Sequence, residues 1–496
     1  MFDYKSLSES DLLETFTDSN FKITPRYHQL VSLAFTLGEN LNRVMYLHGV
    51  GTGKTISALL TQHLWGCKKV LIICPISAFS AWKRDIKLAT NAKHHLLYGS
   101  TEERIAKLEA DDRQFNIINF EGLKCIYANK REVLNKNKEK VTKWVVNSTT
   151  FMDNFDCIIV DEIHKCAAYN SLQSDICYEL SRRADHFIGL TGTVINKSEL
   201  EFWNIYNVVD QGRSLGNNFW VYRSSYFAKR GFTWEVRNEE SREQILKSLE
   251  YSTITFTRDE CLDLPEKDEQ IKEVYPSKEF LNLQNIIVGR DSDGNYLYNT
   301  LDVGPISMSL TDPNTRARLL RYIASGFIYY NDDNGERLTY YLKENPKIDA
   351  LIDLLQDSDG KVIVYHSFIA EAEMIEKALK KNKISYITKR NSKKTLLELE
   401  KKFNTTNAKV FLAHKTVRES LDLTVSKFMI YYSPVASALV REQTMGRIYR
   451  DGQGSKTLFI DLILLKSVDG TVQQSRLKNI ELVTAIKTYM QNYGKN

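Results

Sequence analysis

The sequence predicts an α/β protein in which two doubly wound parallel sheets are separated by a helical insert. Short apolar runs rich in Val, Ile and Leu occur in two groups, at about 20–195 and 345–465. Because these runs show no polar alternation, they indicate strands that are buried on both faces. Helix-like segments such as Thr55–Trp65 and Phe368–Asn382 lie between the runs. Alternating strands and helices favour parallel pairing, since a parallel pair needs a crossover connection.

The order of these elements divides the chain into four segments. The predicted strands are Val44–Leu47, Val70–Cys74, Asn116–Asn119, Cys157–Val160, His186–Leu190, Val362–Tyr365, Lys409–Ala413, Phe428–Tyr432 and Thr457–Leu462. We therefore expect an N-terminal extension (1–20), a first lobe (21–198), a helical insert and linker (199–340), and a second lobe with a C-terminal tail (341–496).

A basic segment at 124–143 indicates a second insert within the first lobe. Its cations are Lys124, Lys130, Arg131, Lys136, Lys138, Lys140 and Lys143. Such a cluster is either the solvated face of a helix or a contact to DNA, and the sequence leaves both interpretations open.

The composition excludes several classes of protein. With 43% hydrophobic and 26% charged residues, the chain of 496 residues is ordinary for a globular protein and unlike a disordered or fibrous one. Seven cysteines in this length favour a reducing compartment over a disulfide scaffold. No apolar run approaches the roughly 20 residues of a membrane helix, so we expect a cytoplasmic protein without a membrane partner. The net charge of +5 neither identifies nor excludes a nucleic-acid partner.

The first predicted strand is followed by a phosphate-binding loop. The sequence His48-Gly-Val-Gly-Thr-Gly-Lys-Thr55 stands between a strand and a helix, which is the context that this motif requires. Gly51 and Gly53 allow the backbone to curl so that N–H groups of the loop, including that of Thr52, point at phosphate oxygens. Lys54 reaches the β and γ phosphates of ATP, and the Thr55 hydroxyl is a ligand for Mg²⁺. His48 replaces the usual first glycine and is interpreted as a loop residue.

An acidic pair ends another predicted strand of the first lobe. Asp161 and Glu162 follow the run Cys157–Val160. Two adjacent carboxylates at a strand end are costly without a cation, which predicts that Asp161 holds Mg²⁺ and Glu162 polarises the attacking water. His164 is a candidate link to the next motif, Thr191-Gly-Thr193. The spacing of Cys157, His164 and Cys166 does not match a zinc site.

The second lobe contributes candidate arginines. Arg447 and Arg450 are three residues apart, and Gln443 lies four before Arg447, so on a helix the three share one face. Two converging arginines suit the γ-phosphate of ATP, where they act as arginine fingers. The alternative is a basic helix on the surface.

These motifs resemble, in their order, the superfamily-two helicases and, within them, the Swi/Snf-type DNA translocases. The similarity extends from about Ile23 to Lys478. The segments that resemble family motifs of the first half are Pro25-Arg-Tyr-His-Gln29, Leu71-Ile-Ile-Cys-Pro75 with Trp82, Ile118-Asn-Phe-Glu-Gly-Leu123, Asp161-Glu-Ile-His164 and Leu190-Thr-Gly-Thr-Val-Ile-Asn196. The resemblance implies that Gln29 lies near adenine and that the segments at 71–75 and 118–123 contact DNA.

Further segments resemble this family more than helicases in general. They are Glu201-Phe-Trp-Asn204, Leu215-Gly216 with Phe219, Asp263-Leu-Pro265, Arg316–Phe327, Val362-Ile-Val-Tyr-His-Ser367, Arg447-Ile-Tyr-Arg-Asp-Gly-Gln453 and Gly470-Thr471 with Lys478. The segment Arg258–Pro265 is most similar to small phage or mobile-element versions. Two departures are Val194 in place of Pro and Lys415–Thr424, which lacks the usual glycines.

The resemblance implies two RecA-like lobes and an ATP-dependent translocase on duplex DNA, with ATP and Mg²⁺ as cofactors and no sequence specificity. Partners in replication, transcription or defence are open, and so is a phage-encoded origin in a bacterial host. Three alternatives remain: a strand-separating helicase, an ATP-gated nucleic-acid-binding switch, and an RNA-directed enzyme.

Overall fold

The computed structural model divides into two compact units, Met1–Asp263 and Leu264–Asn496. It describes residues 3–16, 21–110, 114–134, 140–147, 155–192, 198–230, 233–262, 264, 266–332, 334–390, 392, 394–414, 421–449, 456–478 and 482–493. Each unit contains its own sheet of parallel strands, with helices connecting the strands.

The first unit alternates strands and helices. Its helices are α1 (Glu9–Phe16), α2 (Tyr27–Gly38), α3 (Lys54–Leu64), α4 (Phe79–Ala89), α5 (Thr101–Glu109), α6 (Phe120–Tyr127), α7 (Leu172–Arg183), α8 (Phe202–Asp210), α9 (Phe219–Tyr226), α10 (Glu239–Leu249) and α11 (Arg258–Cys261). Its strands are β1 (Arg43–His48), β2 (Val70–Ile73), β3 (His94–Leu96), β4 (Phe115–Ile118), β5 (Ala128–Leu134), β6 (Lys140–Val146), β7 (Cys157–Asp161), β8 (His186–Thr191), β9 (Phe227–Arg230), β10 (Thr233–Val236) and β11 (Thr253–Phe256).

The main sheet of the first unit has the described strands in the order β11-β1-β8-β7-β2-β4-β3, all parallel. Successive residues of β2 pack into two different apolar cores, Val70 and Ile72 on one face and Leu71 and Ile73 on the other. Because both faces are covered, the strand is apolar throughout rather than alternating. The doubly wound sheet predicted for this half is confirmed.

The second unit repeats this architecture. Its helices are α12 (Lys278–Val288), α13 (Pro313–Ala324), α14 (Pro346–Asp357), α15 (Ile369–Lys381), α16 (Leu396–Thr405), α17 (Ala438–Met445), α18 (Val468–Leu477) and α19 (Leu482–Asn492). Its strands are β12 (Lys267–Val274), β13 (Thr300–Val303), β14 (Ile306–Ser309), β15 (Phe327–Asn331), β16 (Arg337–Tyr341), β17 (Val362–His366), β18 (Tyr386–Thr388), β19 (Val410–His414), β20 (Phe428–Tyr431) and β21 (Thr457–Leu464). The described strands of its main sheet are parallel, in the order β12-β21-β20-β17-β19-β18.

The limits of the middle segment differ from those predicted. Within 199–340, β11 pairs with β1 in the first sheet, whereas β12 pairs with β21 in the second. The segment holds helices, as predicted, and also the hairpins β9–β10, β13–β14 and β15–β16. The strands β11, β12 and β13 are short or partly exposed, so they lack the continuous apolar run that marks a strand buried on both faces.

The described part of the basic segment 124–143 is mostly a β-hairpin, and Lys136 and Lys138 lie outside the described residues. α6 ends at Tyr127, and β5 pairs with β6 in antiparallel register. The interpretation as a helix face is therefore wrong for this segment.

Among the helices of the described ranges, none has the length and apolarity that a bilayer crossing requires.

A buried ion pair supports the second unit. Lys347 Nζ of α14 lies 2.8 Å from Asp469 Oδ2 of α18, and both side chains are almost fully buried. The same carboxylate oxygen accepts a hydrogen bond from Leu464 N at 3.1 Å. Removal of the lysine alone leaves a buried carboxylate without its cation, which is more costly than removal of both charges.

We expect Lys347→Met to lower the free energy of unfolding by about 3–5 kcal/mol, and Lys347→Met/Asp469→Asn to be less destabilised than the single variant. All six tryptophans precede residue 264. Circular dichroism should therefore show a weakened transition while tryptophan fluorescence reports an unchanged one. A double variant no more stable than the single one would contradict this role for the ion pair.

Candidate nucleotide site

The candidate phosphate-binding loop lies between β1 and α3, which is the strand–loop–helix context that the sequence predicts. Gly51 and Gly53 adopt φ of 85° and 86°, in the left-handed region that glycine tolerates without strain. Gly53 is the N-cap of α3, and a Cβ at this position would lie 2.7 Å from Gln29 Nε2. Lys54 Nζ donates to the carbonyl oxygens of His48 and Gly49 at 2.9 and 3.2 Å. The ammonium group thus lies over the loop, at the positive end of the α3 dipole.

Two side chains of α2 contact backbone carbonyl groups of the loop. Gln29 Nε2 donates to Gly53 O at 3.2 Å, and His28 Nε2 lies 2.8 Å from Thr52 O. A carbonyl oxygen only accepts, so this His28 nitrogen carries a proton, and burial lowers the pKa of His28. Gln29 therefore contacts the loop in this structure. His28 was missed by sequence reasoning, although it adjoins Gln29 in the same motif.

His48 is the last residue of β1 and is fully buried, which differs from the predicted loop position. Its ring stacks on Tyr46 and meets Phe256 edge-on, at centroid distances of 5.4 and 5.5 Å. Burial, followed by the charges of His28 and Lys54, holds the pKa of His48 well below its usual value. A neutral packing role explains why a histidine replaces glycine here.

A cation that sequence reasoning missed lies beside the loop. Arg258 is buried at the start of α11, directly after β11. A Cβ on Gly49 would lie 2.9 Å from Arg258 N, and one on Gly51 would lie 3.9 Å from Nη2 of the guanidinium. More than 200 residues separate Arg258 from the loop in sequence, and only the pairing of β11 with β1 brings them together.

The acidic pair lies at the carboxyl end of β7. Asp161 Oδ2 accepts a hydrogen bond of 3.1 Å from Trp82 Nε1 of α4. Glu162 adopts φ of 57°, an uncommon conformation for a residue with a side chain, and its Oε2 lies 3.1 Å from His164 Nδ1. His164 Nδ1 also lies 3.0 Å from Thr191 Oγ1. The link predicted between His164 and the following motif is therefore present.

Strand β8 lies between the loop strand β1 and the acidic strand β7. At its carboxyl end, Thr191 reaches His164, and a Cβ on Gly192 would lie 3.2 Å from Val50 Cγ2 of the loop. The end of β8 therefore contacts both halves of the candidate site. Thr193 and the rest of that motif lie outside the described residues.

The two carboxylates differ in their electrostatics. Burial raises the pKa of Asp161 to about 6, and the adjacent charge of Glu162 adds to this effect. Burial also opposes ionisation of Glu162, but the hydrogen bond and charge of His164, together with Lys54, lower its pKa overall. Glu162 therefore loses its proton at a lower pH than Asp161 does. A cation bound at Asp161 would lower the pKa of Asp161 and favour its ionised form as well.

The donor set fits Mg²⁺. Asp161 and Thr55 offer oxygen ligands, which Mg²⁺ prefers, and this ion usually takes only one or two protein carboxylates besides phosphate oxygens. Across the described parts of the chain, no three His, Cys, Asp or Glu side chains cluster as a metal site. Cys157 and Cys166 are both fully buried in the core.

The second unit positions its candidate residues differently from the prediction. α17 ends at Met445, so Arg447 lies in the following turn rather than on one helical face with Gln443. Arg447 is buried; its Nε donates to Gln443 O at 2.9 Å and its Nη1 to Leu421 O at 3.3 Å. The interpretation as an exposed basic helix is therefore wrong for Arg447. Arg450 lies outside the described residues.

A loop with the phosphate-binding sequence and an acidic pair on one parallel sheet are the features of a P-loop nucleotide-binding domain, and a second parallel sheet follows them along the chain. The chain belongs to the SNF2-related family, whose domain model matches residues 28–292. The model of the helicase conserved C-terminal domain matches residues 346–452.

Several known proteins are similar to this chain. Protein p41 of Acyrthosiphon pisum secondary endosymbiont phage 1 is 23% identical over 73% of this chain and 75% of its own. A Bos taurus DNA excision repair protein ERCC-6-like is 25% identical over 36% of this chain but only 13% of its own length. A Sulfolobus solfataricus SWI2/SNF2 ATPase core in complex with dsDNA has 16% identity and a TM-score of 0.41, with 97% of each chain covered.

We expect Trp82→Phe to slow ATP hydrolysis by about tenfold, because a hydrogen bond to a charged group contributes about 1.5–3 kcal/mol while the phenyl ring preserves most of the packing. Trp65→Phe is the matched control, since its indole stacks on His186 at the far end of α3. Turnover should be measured at saturating ATP. Equal rates in Trp82→Phe and the wild type would mean that Asp161 does not need the indole.

Proposed function

We propose that this protein is an ATP-driven translocase that moves along duplex DNA. The observation that carries the proposal is the joint placement of the loop at 49–53 and the pair Asp161–Glu162 on strands that flank β8. Lys54 is close enough to influence the ionisation of both carboxylates. This arrangement supports a site in which one group binds phosphate and another activates water.

Each residue has a proposed role in that reaction. The backbone of Gly51, Thr52 and Gly53 cradles the phosphates of ATP, Lys54 neutralises them, and Thr55 and Asp161 hold Mg²⁺. Mg²⁺ supplies charge neutralisation at the β and γ phosphates when it is bound. Glu162, held by His164, orients the attacking water and accepts its proton.

The second unit has a proposed part in the same reaction. Gln443, Arg447 and Arg450 retain their proposed assignment to the nucleotide, with the arginines stabilising the charge on the transferred phosphoryl group. Hydrolysis then removes the γ-phosphate and with it the contacts of these residues to that group. In this proposal, the conformational change that follows loss of these contacts drives movement.

The proposal of DNA as the track rests on the family and on two strand ends. The segments at 71–75 and 118–123, which resemble DNA-contact motifs of the family, span the carboxyl ends of the adjacent parallel strands β2 and β4. Cys74 N donates to Ile118 O at 3.0 Å, so the two strand ends are fixed side by side. A DNA repair protein among the relatives supports the same partner. Contacts to phosphates would make binding independent of sequence.

We expect Lys54→Ala and Glu162→Gln each to reduce the rate of DNA-stimulated ATP hydrolysis by about 100-fold or more. Lys54 is needed to bind phosphate and Glu162 to activate water, so loss of either one is enough. DNA binding should persist in both variants. Lys68→Ala and Glu179→Gln, which alter charges outside the site, are the matched controls. Undiminished turnover in either site variant would overturn the assignment.

The track itself is tested by comparing stimulation of ATP hydrolysis by duplex DNA, single-stranded DNA and RNA. We expect duplex DNA to stimulate most, and the rate to rise with duplex length, because a moving motor dissociates less often from a longer track. Displacement of a third strand without unwinding of a forked duplex would separate a translocase from a helicase. A rate independent of length would favour an ATP-gated switch, and preference for RNA would overturn the proposal of DNA.

A further inference from the structure

The β5–β6 hairpin forms a two-stranded sheet separate from the main sheet of the first unit and carries a charge arrangement that the nucleotide site does not use. Asn147 N donates to Tyr127 O at 2.9 Å and closes its base. At this base, Ala128 and Val146 belong to or pack against the apolar core, whereas Lys130, Arg131 and Lys143 are exposed. Its described outer part therefore gains little stability from burial.

The cations of the hairpin oppose each other directly. Arg131 and Lys143 are cross-strand partners on one face, and like charges in this position destabilise a strand pair. On the other face, Lys130 is the partner of Trp144, and the ammonium groups of Lys130 and Lys124 lie 5.5 and 4.2 Å from its ring centroid. Two ammonium groups thus share one indole ring.

Few acids offset these charges. Across the described residues 124–132 and 140–147 there are five cations and one carboxylate, that of Glu132, which lies 3.3 Å from Lys140 Nζ. Both partners of this pair are mostly exposed, so it contributes little. Repelling cations, an exposed tryptophan and little apolar burial are the features of a surface that an external polyanion would stabilise.

We propose that this hairpin binds the sugar–phosphate backbone of duplex DNA, as a contact additional to the segments at 71–75 and 118–123. The proposal rests on the proposed function, because it assumes that duplex DNA is the track. Lys130, Arg131 and Lys143 each neutralise phosphate charge and release counterions. Trp144, partly covered by two ammonium groups, offers a flat apolar surface to the deoxyribose edge. Since backbone is contacted, the hairpin adds affinity without sequence preference.

The test is the salt dependence of duplex binding by the full-length protein. We expect Lys130→Gln/Arg131→Gln/Lys143→Gln to reduce the slope of log K against log[salt] by about 1 for each phosphate that is no longer neutralised, and affinity at about 100 mM salt to fall tenfold or more. Lys377→Gln/Lys380→Gln/Lys381→Gln, on the exposed face of α15, removes the same charge elsewhere and is the matched control. ATP hydrolysis without DNA should be unchanged in both variants.

A gain-of-affinity variant separates binding from misfolding. Glu132→Gln removes the single carboxylate among these described residues and should strengthen duplex binding, which a damaged fold does not do. An unchanged slope in the triple variant, beside normal wild-type binding, would overturn the hairpin proposal alone. Absence of duplex binding by the wild-type protein would overturn both proposals. If the triple variant lost RNA binding but kept its DNA binding, the choice of DNA as the ligand of the hairpin would be overturned.

Discussion

Two adjacent carboxylates at the end of a buried strand are the constraint on which the arrangement of the first unit depends. Asp161 and Glu162 lie where burial opposes their ionisation. They are compensated by Trp82 from α4, His164 from the turn after β7, and Lys54 from α3. Trp82 and Lys54 are distant from the acidic pair in sequence, so the parallel sheet has to fix several strand ends side by side. The apolar cores on both faces of the sheet provide this rigidity.

Contacts at the end of β8 connect the acidic pair to the loop at 49–53. Glu162 contacts His164, His164 contacts Thr191, and the adjacent Gly192 packs against Val50. A Cβ on Gly192 would lie only 3.2 Å from the Val50 side chain, which is closer than an ordinary van der Waals contact. A short chain of contacts at the end of β8 therefore connects Glu162 to the loop.

The sequence predicted those features that are encoded locally. The loop at 49–53 and the pair Asp161–Glu162 are contiguous motifs beside apolar strands, and the structure has the expected strands and the helix α3 around them. Arg258 and the bond from Trp82 were not predicted, because they depend on strand order in the folded sheet. The end of α17 before Arg447 was missed because helical spacing alone does not show where a helix stops. β11 was missed because four residues, Thr253–Phe256, are too short to show a period.

The distribution of charge, rather than its sum, separates the two candidate surfaces of the first unit. The net charge of the whole chain is only +5, and four cations against one acid occur in the strands β5 and β6 alone. The candidate nucleotide site instead combines cations with the partly buried Asp161 and Glu162, so its net charge is small. A fixed, mixed-sign site suits a reaction that moves charge between bound groups. An exposed hairpin with an excess of cations suits a polyanion whose position changes, since the phosphates along a backbone are equivalent and one can take the place of another.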